Sequence, residues 1–397
     1  MNILFIASRF PYPLIQGDRI RAYHQLRLLS RHHRVTLVTP VENARDREGV
    51  GVIRGFCEQI EAIPVSRSRR ILHLAAGLFT PLPWQTVYFY DSRFRRRIEA
   101  LLRTHSYDLV HVQLVRLGPA AAGVAGIPKI IDFIDALSLN WRNRSRREIA
   151  PLSWLTGWEA ERLRRYEHAL LHVYDRALVC SEGDRAAIGS YPNLDVVPQG
   201  IDIDAFPYVE NPREPRTLLF TGRMGYFPNA DAAMWFATQV FPLVRSRVAD
   251  ARFIIVGGNA PPRVRRLNEI PGVEVRDFTP RIHELLARST LSVCPMRSGS
   301  GMQFKVLEAM ASGAPVVATP RALGGIDAID GEHVLVGPDR SALADAVLRL
   351  LEDPRLRTRV ARNARRLIEE RYTWHRSVEM LEAVYRKCLP QGEAALG

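Results

Sequence analysis

The sequence has few of the residues that stabilise small secreted domains or bind structural metals. Its four cysteines, Cys57, Cys180, Cys294 and Cys388, lie far apart, and no C-x-x-C pair or His-spaced cluster occurs. Disulfide frameworks and structural zinc sites need such spacings. The pattern argues against both and is typical of buried thiols in a reducing cytosol.

Long apolar runs are also missing. No run approaches the roughly 18 residues of a membrane-spanning helix. The N-terminal stretch MNILFIASRFPYP lacks the basic segment and cleavage site of a signal peptide. We therefore expect a cytoplasmic protein, with peripheral attachment to the inner face of the plasma membrane as an additional expectation. Its 397 residues, 47% hydrophobic and 24% charged, are typical of a globular chain of two or three domains.

Lysine is rare in a chain that is otherwise strongly basic. Only Lys129, Lys305 and Lys387 are lysines among 55 basic residues, and the net charge is +13. Residues 1–200 hold 28 Lys+Arg against 19 Asp+Glu. Such an excess favours an anionic partner, either a phosphate-bearing substrate, an acidic lipid surface or a nucleic acid. Nucleic acid is the least favoured, because the chain has no aromatic-interleaved basic stripe and no recognisable module.

One stretch has the composition of a membrane-surface segment. Arg67–Trp84, RSRRILHLAAGLFTPLPW, is basic at its start and then apolar and aromatic. A basic amphipathic helix of this kind can rest on an anionic membrane. An ordinary packed helix with a solvated basic end is the alternative interpretation.

The order of predicted elements indicates an α/β protein with two parallel sheets. Strands alternate with helices along the whole chain, as in doubly wound folds. A polar, proline-punctuated linker, Glu210–Arg216, interrupts the series. We predict an N-terminal Rossmann-like domain over residues 1–200 and a second over residues 201–375. Residues 376–397 are expected to form a helix that packs back toward the first domain, followed by a frayed tail.

The stretch Leu291–Thr319, LSVCPMRSGSGMQFKVLEAMASGAPVVAT, carries the clearest functional pattern. It is predicted to form a buried strand, a Gly/Ser-rich loop, a helix from Met302 to Ser312 and a second strand. Such a loop brings backbone N–H groups to a helix N-terminus, where the helix dipole also favours anions. Lys305 and Glu308 share one face of this helix. A cation suits a diphosphate and a carboxylate suits ribose hydroxyls, so the pair predicts a nucleoside-diphosphate site.

At these residues the chain resembles the family 4 retaining glycosyltransferases, which have the GT-B fold. The resemblance spans nearly the full length. It is carried by the segments CSEGDRAAI, VPQGIDIDAF, FTGRMGYFPNADAAMWF and LEAMASGAPVVAT, together with the N-terminal strand and the loop containing Gly17. The opening PYP…GDRIRAYH and the loop GRMGYFPN are similar to bacterial sugar transferases associated with exopolysaccharide and PEP-CTERM gene clusters. The resemblance implies two Rossmann-like domains facing each other across a cleft.

The resemblance also assigns roles to individual positions. Glu308 matches the carboxylate that holds the donor ribose, Gly17 matches a glycine that lies against the diphosphate, and Arg223 matches a basic residue that contacts the donor phosphates. Gly222, Ser300 and Gly301 complete the expected donor-binding set, and Lys305 belongs to it through its charge.

The sequence departs from the family pattern at several of these positions. Ser300 stands where the family usually has the first glutamate of an E-x7-E pair. Lys305 stands where the family commonly has a proline. The family often has a lysine in the region that Pro228 and Asn229 occupy here. We expect Lys305 to supply the positive charge for the donor phosphates that this lysine would otherwise provide. Gln199 replaces a usual asparagine before Gly200.

The chemistry implied is charge stabilisation on a departing diphosphate together with positioning of an acceptor hydroxyl. Arg223 and Lys305 would stabilise the leaving group, and its phosphate oxygen can accept the acceptor proton. No DxD-type pair stands where a metal bridge would need it, so we expect no metal and no cofactor beyond the donor. His111, at the strand Leu109–Gln113, and Asp135, at the end of the strand Lys129–Asp135, are additional candidate catalytic residues. A core imidazole is the alternative for His111.

The sequence therefore predicts a retaining hexosyltransferase that uses a nucleotide sugar and a glycan or polyprenyl-linked acceptor, in exopolysaccharide or other cell-surface polysaccharide synthesis. An anionic membrane surface is a further expected partner. Two alternatives stay open at this point. One is a GT-B-like nucleotide-sugar epimerase, and the other, prompted by Ser300, is a non-catalytic scaffold of a polysaccharide assembly complex.

Overall fold

We describe the protein from a computed structural model. It describes residues 1–66, 80–146, 148–210, 214–299 and 301–389, together with the single residues 68, 70, 71, 74 and 77. The chain divides into two compact units. The N-terminal unit comprises Met1–Gln199 and the chain from Ser377 onward, and the C-terminal unit comprises Gly200–Arg376.

A seven-stranded parallel sheet is the centre of the N-terminal unit, with strand order β3-β2-β1-β4-β5-β6-β7. The strands are β1 Asn2–Ile6, β2 Arg34–Val41, β3 Gln59–Pro64, β4 Leu109–Gln113, β5 Lys129–Ile134, β6 Arg176–Val179 and β7 Leu194–Val196. Central strands β1, β4 and β5 are almost continuously buried. Near-continuous apolar sequence is what such strands require, because helices cover both faces of a parallel sheet.

Helices connect these strands and complete the core. They are Gly17–Leu29, Ala44–Ile53, Trp84–Phe89, Ser92–Thr104, Gly118–Ala121, Leu137–Ser145, Leu152–Leu171 and Glu182–Ile188, with the 3₁₀ turn Val115–Leu117. Several begin at a residue whose side chain accepts a backbone N–H, as at Asn43, Asp91 and Ser181. The last helix, Trp374–Cys388, contributes buried side chains such as Leu381 and Tyr385.

The C-terminal unit contains a six-stranded parallel sheet in the order β10-β9-β8-β11-β12-β13. Its strands are β8 Glu214–Thr221, β9 Arg252–Val256, β10 Val273–Arg276, β11 Ser289–Cys294, β12 Val316–Ala318 and β13 Leu335–Val336. Its helical segments are Phe227–Trp235, Phe236–Val240, Phe241–Arg245, Pro262–Arg265, Arg266–Glu269, Ile282–Arg288, Phe304–Ala311, Pro320–Leu323, Arg340–Glu352 and Pro354–Arg371. The prediction of two parallel α/β sheets is confirmed.

The first helix begins at Gly17, with Asp18 in its first turn, where a carboxylate suits the dipole. One predicted helix boundary differs from the structure for a local reason. The helix predicted from Met302 begins at Phe304, because Gln303 is still extended, with φ −89° and ψ 106°. Gly313, which follows this helix, has the left-handed φ of 75° that favours glycine at a helix C-terminus.

No helix among the described residues combines the length and the apolar character needed to cross a bilayer. Within the candidate membrane segment Arg67–Trp84, residues 67, 69, 72, 73, 75, 76, 78 and 79 lie outside the described residues.

Candidate functional site

Each sheet has one point at which the strand order reverses. In the N-terminal unit this point lies between β1 and β4, and in the C-terminal unit it lies between β8 and β11. Ligands of parallel α/β sheets bind outside the carboxyl ends of the strands at such a point. In the C-terminal unit, Gly222 and Arg223 follow β8, and the loop leading to Lys305 follows β11.

The loop after β8 packs tightly against the neighbouring loop after β9. Gly222 has a φ of 155°, and its N–H donates to Val256 O at 3.0 Å. A Cβ on Gly257 would lie 1.7 Å from Gly222 O, so that position has room only for glycine. Asn229 Nδ2 donates to Arg223 O at 3.0 Å and holds the turn. The Arg223 side chain is exposed and makes no ion pair with a described residue.

The loop after β11 contains two left-handed glycines, Gly299 with φ 100° and Gly301 with φ 71°. They turn the chain into the helix Phe304–Ala311, whose N-terminus has no side-chain cap. Uncapped N–H groups at a helix start attract anions. Ser298 Oγ is buried without a hydrogen-bond partner beside this turn. Ser300, predicted to bind the donor, lies outside the described residues.

Lys305 and Glu308 are both half-buried on this helix, and neither makes an ion pair with a described residue. Lys305 Nζ donates to Gln303 Oε1 at 2.8 Å, which is a neutral partner. Burial lowers the pKa of the Lys305 ammonium, and the charges of Cys294 and Glu308 oppose that effect. Burial likewise raises the pKa of Glu308 to about 7, against the attraction of Lys305. Partly desolvated charges without a charged partner are costly, so both groups suit a polar ligand.

The two loops of the C-terminal unit contact each other. A Cβ on Gly299 would lie 3.8 Å from Pro228 Cβ, and Arg297 Nη1 lies 3.8 Å from Asp231 Oδ1. The structure therefore brings Gly222 and Arg223 to the same sheet edge as Gly301, Lys305 and Glu308. An edge with two cations, one carboxylate and uncapped N–H groups can hold a diphosphate beside a group that donates hydrogen bonds.

Three predicted residues belong to the N-terminal unit, and the first is Gly17. It is the first residue of the helix Gly17–Leu29, which also lacks a side-chain cap. Gln113 Nε2, at the end of β4, donates to Asp18 O at 2.9 Å. The helix start therefore lies at the carboxyl edge of the sheet, where the two strand series diverge.

Asp135 follows β5 at a strained turn. The preceding residue, Ile134, has a φ of 68°, which is an outlier for a β-branched side chain. Asp135 is half-buried, and its carboxyl group makes no hydrogen bond to a described residue. Burial raises its pKa to about 7, with a contribution from the neighbouring Asp184 and against the attraction of Arg21. Strain of this kind persists where the surroundings impose it, and functional edges are a common place for it.

His111 occupies the middle of β4, between its partners Phe5 on β1 and Ile130 on β5. Its ring is fully buried, stacks on Phe5 at 4.4 Å between centroids, and places Nδ1 2.9 Å from Tyr385 Oη. Burial lowers its pKa to about 4. A fully buried ring packed between Phe5 and Tyr385 favours the alternative interpretation of His111 as a core residue.

Sequence reasoning missed two groups beside Asp135. Asp184, within the segment CSEGDRAAI, accepts from Ser181 Oγ at 2.5 Å and from Ala136 N at 3.0 Å. Arg21 donates through Nε to Asp132 Oδ2 at 2.6 Å. The spacing of Ser181 and Asp184 at a helix start was a usable signal, but nothing local in the sequence marks Arg21 as fully buried.

No group of three or more His, Cys, Asp or Glu residues that could hold a metal ion occurs in the described parts of the chain.

The chain is similar to known proteins both in sequence and in structure. Residues 215–353 match the family model described as "Glycosyl transferases group 1". A phosphatidyl-myo-inositol mannosyltransferase from Mycobacterium leprae (strain TN) is 29% identical over 214 residues, covering 49% of this chain and 54% of the relative. An alpha-D-kanosaminyltransferase from Streptomyces kanamyceticus is 29% identical over 184 residues, 43% of this chain and 45% of the relative. The chain thus spans about half the length of these two curated relatives.

A third relative aligns over almost the whole chain. This is an "uncharacterized 44.6 kDa protein in cps region" from Klebsiella pneumoniae, 21% identical over 94% of this chain and 96% of the relative. Among solved structures, a sucrose-phosphate synthase from Thermosynechococcus elongatus has a TM-score of 0.71 at 17% identity, covering 97% of this chain and 98% of that one. Anabaena HepE in complex with UDP and glucose has a TM-score of 0.64 at 14% identity, covering 97% and 99%. The fold is GT-B, as the sequence predicted.

Proposed function

We propose that this protein is a glycosyltransferase that transfers a sugar from a nucleoside-diphosphate donor to a glycan or lipid-linked acceptor, with retention of anomeric configuration. The observation that carries the proposal is the pair Lys305 and Glu308, half-buried at an uncapped helix start and without a charged contact in the described chain. The same residues lie within the segment that matches the glycosyl transferases group 1 model. A nucleoside diphosphate supplies what this edge lacks, namely negative charge for the cation and hydroxyls for the carboxylate.

Each donor group has a partner of matching chemistry. The ribose hydroxyls donate to the ionised Glu308, and the diphosphate binds Lys305 and the exposed Arg223. Gly222 and Gly301 allow the backbone to approach the phosphates closely, since both have positive φ. As the bond to the sugar breaks, negative charge grows on the diphosphate, and the two cations stabilise it more in the transition state than in the ground state.

The N-terminal unit supplies the acceptor side of the proposal. Asp135 is proposed to accept a hydrogen bond from a sugar or acceptor hydroxyl, because its carboxyl group is half-buried and has no partner in the described chain. The helix start at Gly17 is proposed to be open to a phosphate group, because no side chain caps it. In a retaining transfer the departing phosphate oxygen takes the proton of the attacking hydroxyl. No metal is needed in this scheme, because arginine, lysine and helix N-termini carry the charge.

The biological setting is proposed as exopolysaccharide or other cell-surface polysaccharide synthesis in the cytoplasm. The full-length alignment to a protein of a cps region supports it. UDP is the first nucleotide to test, because UDP is bound in the structure of Anabaena HepE.

The experiment is thermal-shift binding of UDP, GDP, ADP and dTDP, with and without EDTA, followed by calorimetry with the nucleotide that binds. Glu308→Ala should weaken the binding of that nucleotide by about 2–4 kcal/mol, since a charge-assisted hydrogen-bond pair is lost. The exposed Glu352→Ala, in the same unit, is the matched control and should bind normally. Stabilisation by no nucleotide would support the scaffold alternative, and conversion of a nucleotide sugar without acceptor would support the epimerase.

An exposed apolar surface in the N-terminal unit favours attachment to a membrane. The helices Leu137–Ser145 and Leu152–Leu171 pack against each other, and the second begins with large apolar side chains in solvent. Their exposed fractions are 84% for Ile149, 45% for Leu152, 74% for Trp154, 47% for Leu155 and 49% for Trp158.

Arginines stand on both sides of this apolar surface. Arg144 and Arg146 precede it and are exposed, and Arg165 follows it on the second helix. Tryptophan beside basic residues is typical of segments that bind the interface of anionic membranes. We therefore propose this surface as a site of peripheral membrane contact.

Sedimentation with lipid vesicles tests this contact. The wild-type protein should bind phosphatidylglycerol vesicles more strongly than phosphatidylcholine vesicles, and W154S/W158S should lose most of the binding. Phe278→Ser is the control, because Phe278 is 63% exposed in the other unit. Equal binding by all three proteins would refute the assignment of this surface.

A further inference from the structure

A group of arginines surrounds one aromatic ring at the carboxyl edge of the N-terminal sheet. Arg9 follows β1 and Arg116 follows β4, the two strands between which the strand order reverses. The guanidinium carbon of Arg116 lies 4.4 Å from the centroid of the Phe89 ring, that of Arg70 lies 4.9 Å away, and that of Arg9 lies 5.2 Å away. Three cations therefore meet at the position where a parallel sheet binds its ligand.

The negative charge in contact with these arginines does not balance them. Asp18 Oδ2 accepts from Arg9 Nη1 at 2.8 Å and lies 4.0 Å from Arg116 Nη1. Glu42 Oε1 lies 2.8 Å from Arg70 Nη2. Within the described residues, two carboxylates thus contact three guanidinium groups. One positive charge therefore has no carboxylate partner in the described chain and lies in a partly desolvated environment, where an uncompensated charge costs more free energy than at the surface.

Of these three arginines, Arg116 lies farthest from a described carboxylate, at 4.0 Å against 2.8 Å for Arg9 and Arg70. Its side chain is 14% exposed, and its Nε and Nη1 atoms are buried without a hydrogen-bond partner among the described residues. Burial and the neighbouring charges of Arg9 and Arg70 lower its pKa to about 10, while Asp18 opposes them. Buried N–H groups of native proteins are normally satisfied, and an unsatisfied pair on a cation calls for an anion or water.

The backbone that carries Arg116 is also unusual. Leu114, between β4 and the turn Val115–Leu117, has a φ of 71°, and its N–H donates to Asp132 O at 2.7 Å. A left-handed leucine costs free energy that ordinary loops avoid. The turn at Leu114 changes the direction of the chain, so that Arg116 stacks on Phe89 beside Arg9 and Asp18. If the chain continued straight from β4, Arg116 would lie away from this group.

We propose that Arg9 and Arg116 bind an oxyanion group of the acceptor, so that the protein glycosylates acceptors that carry a phosphate or a carboxylate. The inference rests on the proposed function and adds the chemical class of the acceptor. The two arginines offer several N–H donors in planar arrangement, the geometry that phosphate and carboxylate oxygens match. Asp18 holds Arg9 in place and is itself fixed through its backbone by Gln113.

The test uses thermal shifts of the full-length protein saturated with the nucleoside diphosphate identified above, so that the donor site is filled. Inorganic phosphate or sodium glucuronate is then added at constant ionic strength. Phosphate stabilises proteins in general, so the comparison is between variants. Wild type and the exposed-arginine control Arg95→Gln should respond alike. Arg116→Gln and Arg9→Gln should have anion affinities lower by roughly tenfold or more, because a charge-assisted hydrogen bond is lost.

The larger response, to phosphate or to glucuronate, identifies the group that the acceptor carries. An equal response of all four proteins to both anions would overturn the proposal. Loss of nucleotide stabilisation in Arg116→Gln would overturn it as well, because the arginines would then serve the donor diphosphate. If no nucleotide binds at all, the proposed function fails, and the same anion titration without nucleotide still compares Arg116→Gln with Arg95→Gln.

Discussion

Arg21 and Asp132 form an ion pair in which both side chains are completely buried, with Arg21 Nε 2.6 Å from Asp132 Oδ2. Arg21 Nη2 also donates to Val197 O at 3.1 Å, and Arg21 Nη1 donates to Pro198 O at 3.2 Å. One side chain on the first helix therefore joins β5 to the segment that leaves β7. Hydrogen bonds to every part of the guanidinium are what make such burial tolerable.

Removing one partner of this pair should strongly destabilise the N-terminal unit. We expect Arg21→Met or Asp132→Leu alone to lower the free energy of unfolding by about 3–5 kcal/mol, because the remaining charge stays buried. The double variant should lose less free energy of unfolding than the sum of the losses of the two single variants. Urea unfolding of the four proteins measures this coupling, and strictly additive losses would show that the pair is not one unit.

The raised pKa of Glu308, about 7, predicts a pH-dependent stability. The folded protein binds the proton of Glu308 more tightly than the unfolded chain does, so ionisation opposes folding. Stability from this group is fully present below the unfolded pKa and is lost as pH rises through about 7. Glu308→Gln should therefore gain melting temperature over wild type at pH 8 and not at pH 4. A constant difference across that range would contradict the assignment.

Donor binding should have the opposite pH dependence at the same residue. Ribose hydroxyls donate to the carboxylate, so protonation of Glu308 removes the acceptor. We expect nucleotide affinity in the wild type to fall as pH drops below about 7, the pKa of the free protein. Glu308→Gln should bind weakly at every pH. Calorimetry between pH 5.5 and pH 8 measures the nucleotide affinity of each protein. The control Glu352→Ala should have the same pH dependence of affinity as the wild type.

Lys305→Ala should reduce turnover more than it reduces nucleoside binding. The ammonium group is proposed to stabilise charge that grows on the diphosphate as the sugar leaves, so its loss appears mainly in kcat. Burial already lowers the pKa of this lysine, and a bound diphosphate would raise it again. Steady-state kinetics with the identified donor separates kcat from KM. A pure rise in KM would assign Lys305 to ground-state binding.

His111 should matter for stability and not for chemistry. Tyr385→Phe removes the 2.9 Å contact with His111 Nδ1 and should cost about 1 kcal/mol of unfolding free energy. The His111 pKa of about 4 lies below the value of an unfolded histidine, so the neutral ring stabilises the fold above that unfolded value. This stability is lost as pH falls toward about 4. His111→Gln, assayed where it remains folded, should retain wild-type kcat, and a large loss of kcat would restore the catalytic interpretation.

The loop and helix that carry Lys305 and Glu308 were predictable because their signals are local. A strand, a glycine-rich loop and a helix follow one another in Leu291–Thr319, and the positive φ of Gly301 and Gly313 accounts for their glycines. The three-residue spacing of Lys305 and Glu308 determines a shared helix face wherever the helix packs. The start of that helix was misplaced by two residues, because the extended Gln303 carries no composition that marks a helix boundary.

The residues of the N-terminal unit could not be ranked in the same way. His111 and Asp135 are both polar residues of predicted strands, and a sequence does not tell the middle of a strand from its exit. The structure places one between Phe5 and Tyr385 and the other after a left-handed Ile134. Arg9 and Arg116 are more than a hundred positions apart, among many other arginines.

The sequence by itself determined the alternation of strands and helices, the two sheets and the glycine-rich turn into the helix of Lys305 and Glu308, because each depends on residues close together in the chain. Tertiary structure alone decided which charges are compensated. Arg21 contacts Asp132 across 111 positions and two carbonyl groups across 176 and 177 positions, whereas Arg116 lies at a crowded edge with too few acceptors among the described residues. Burial and electrostatic balance are sums over the residues that surround a side chain in space, and chain order does not specify those residues.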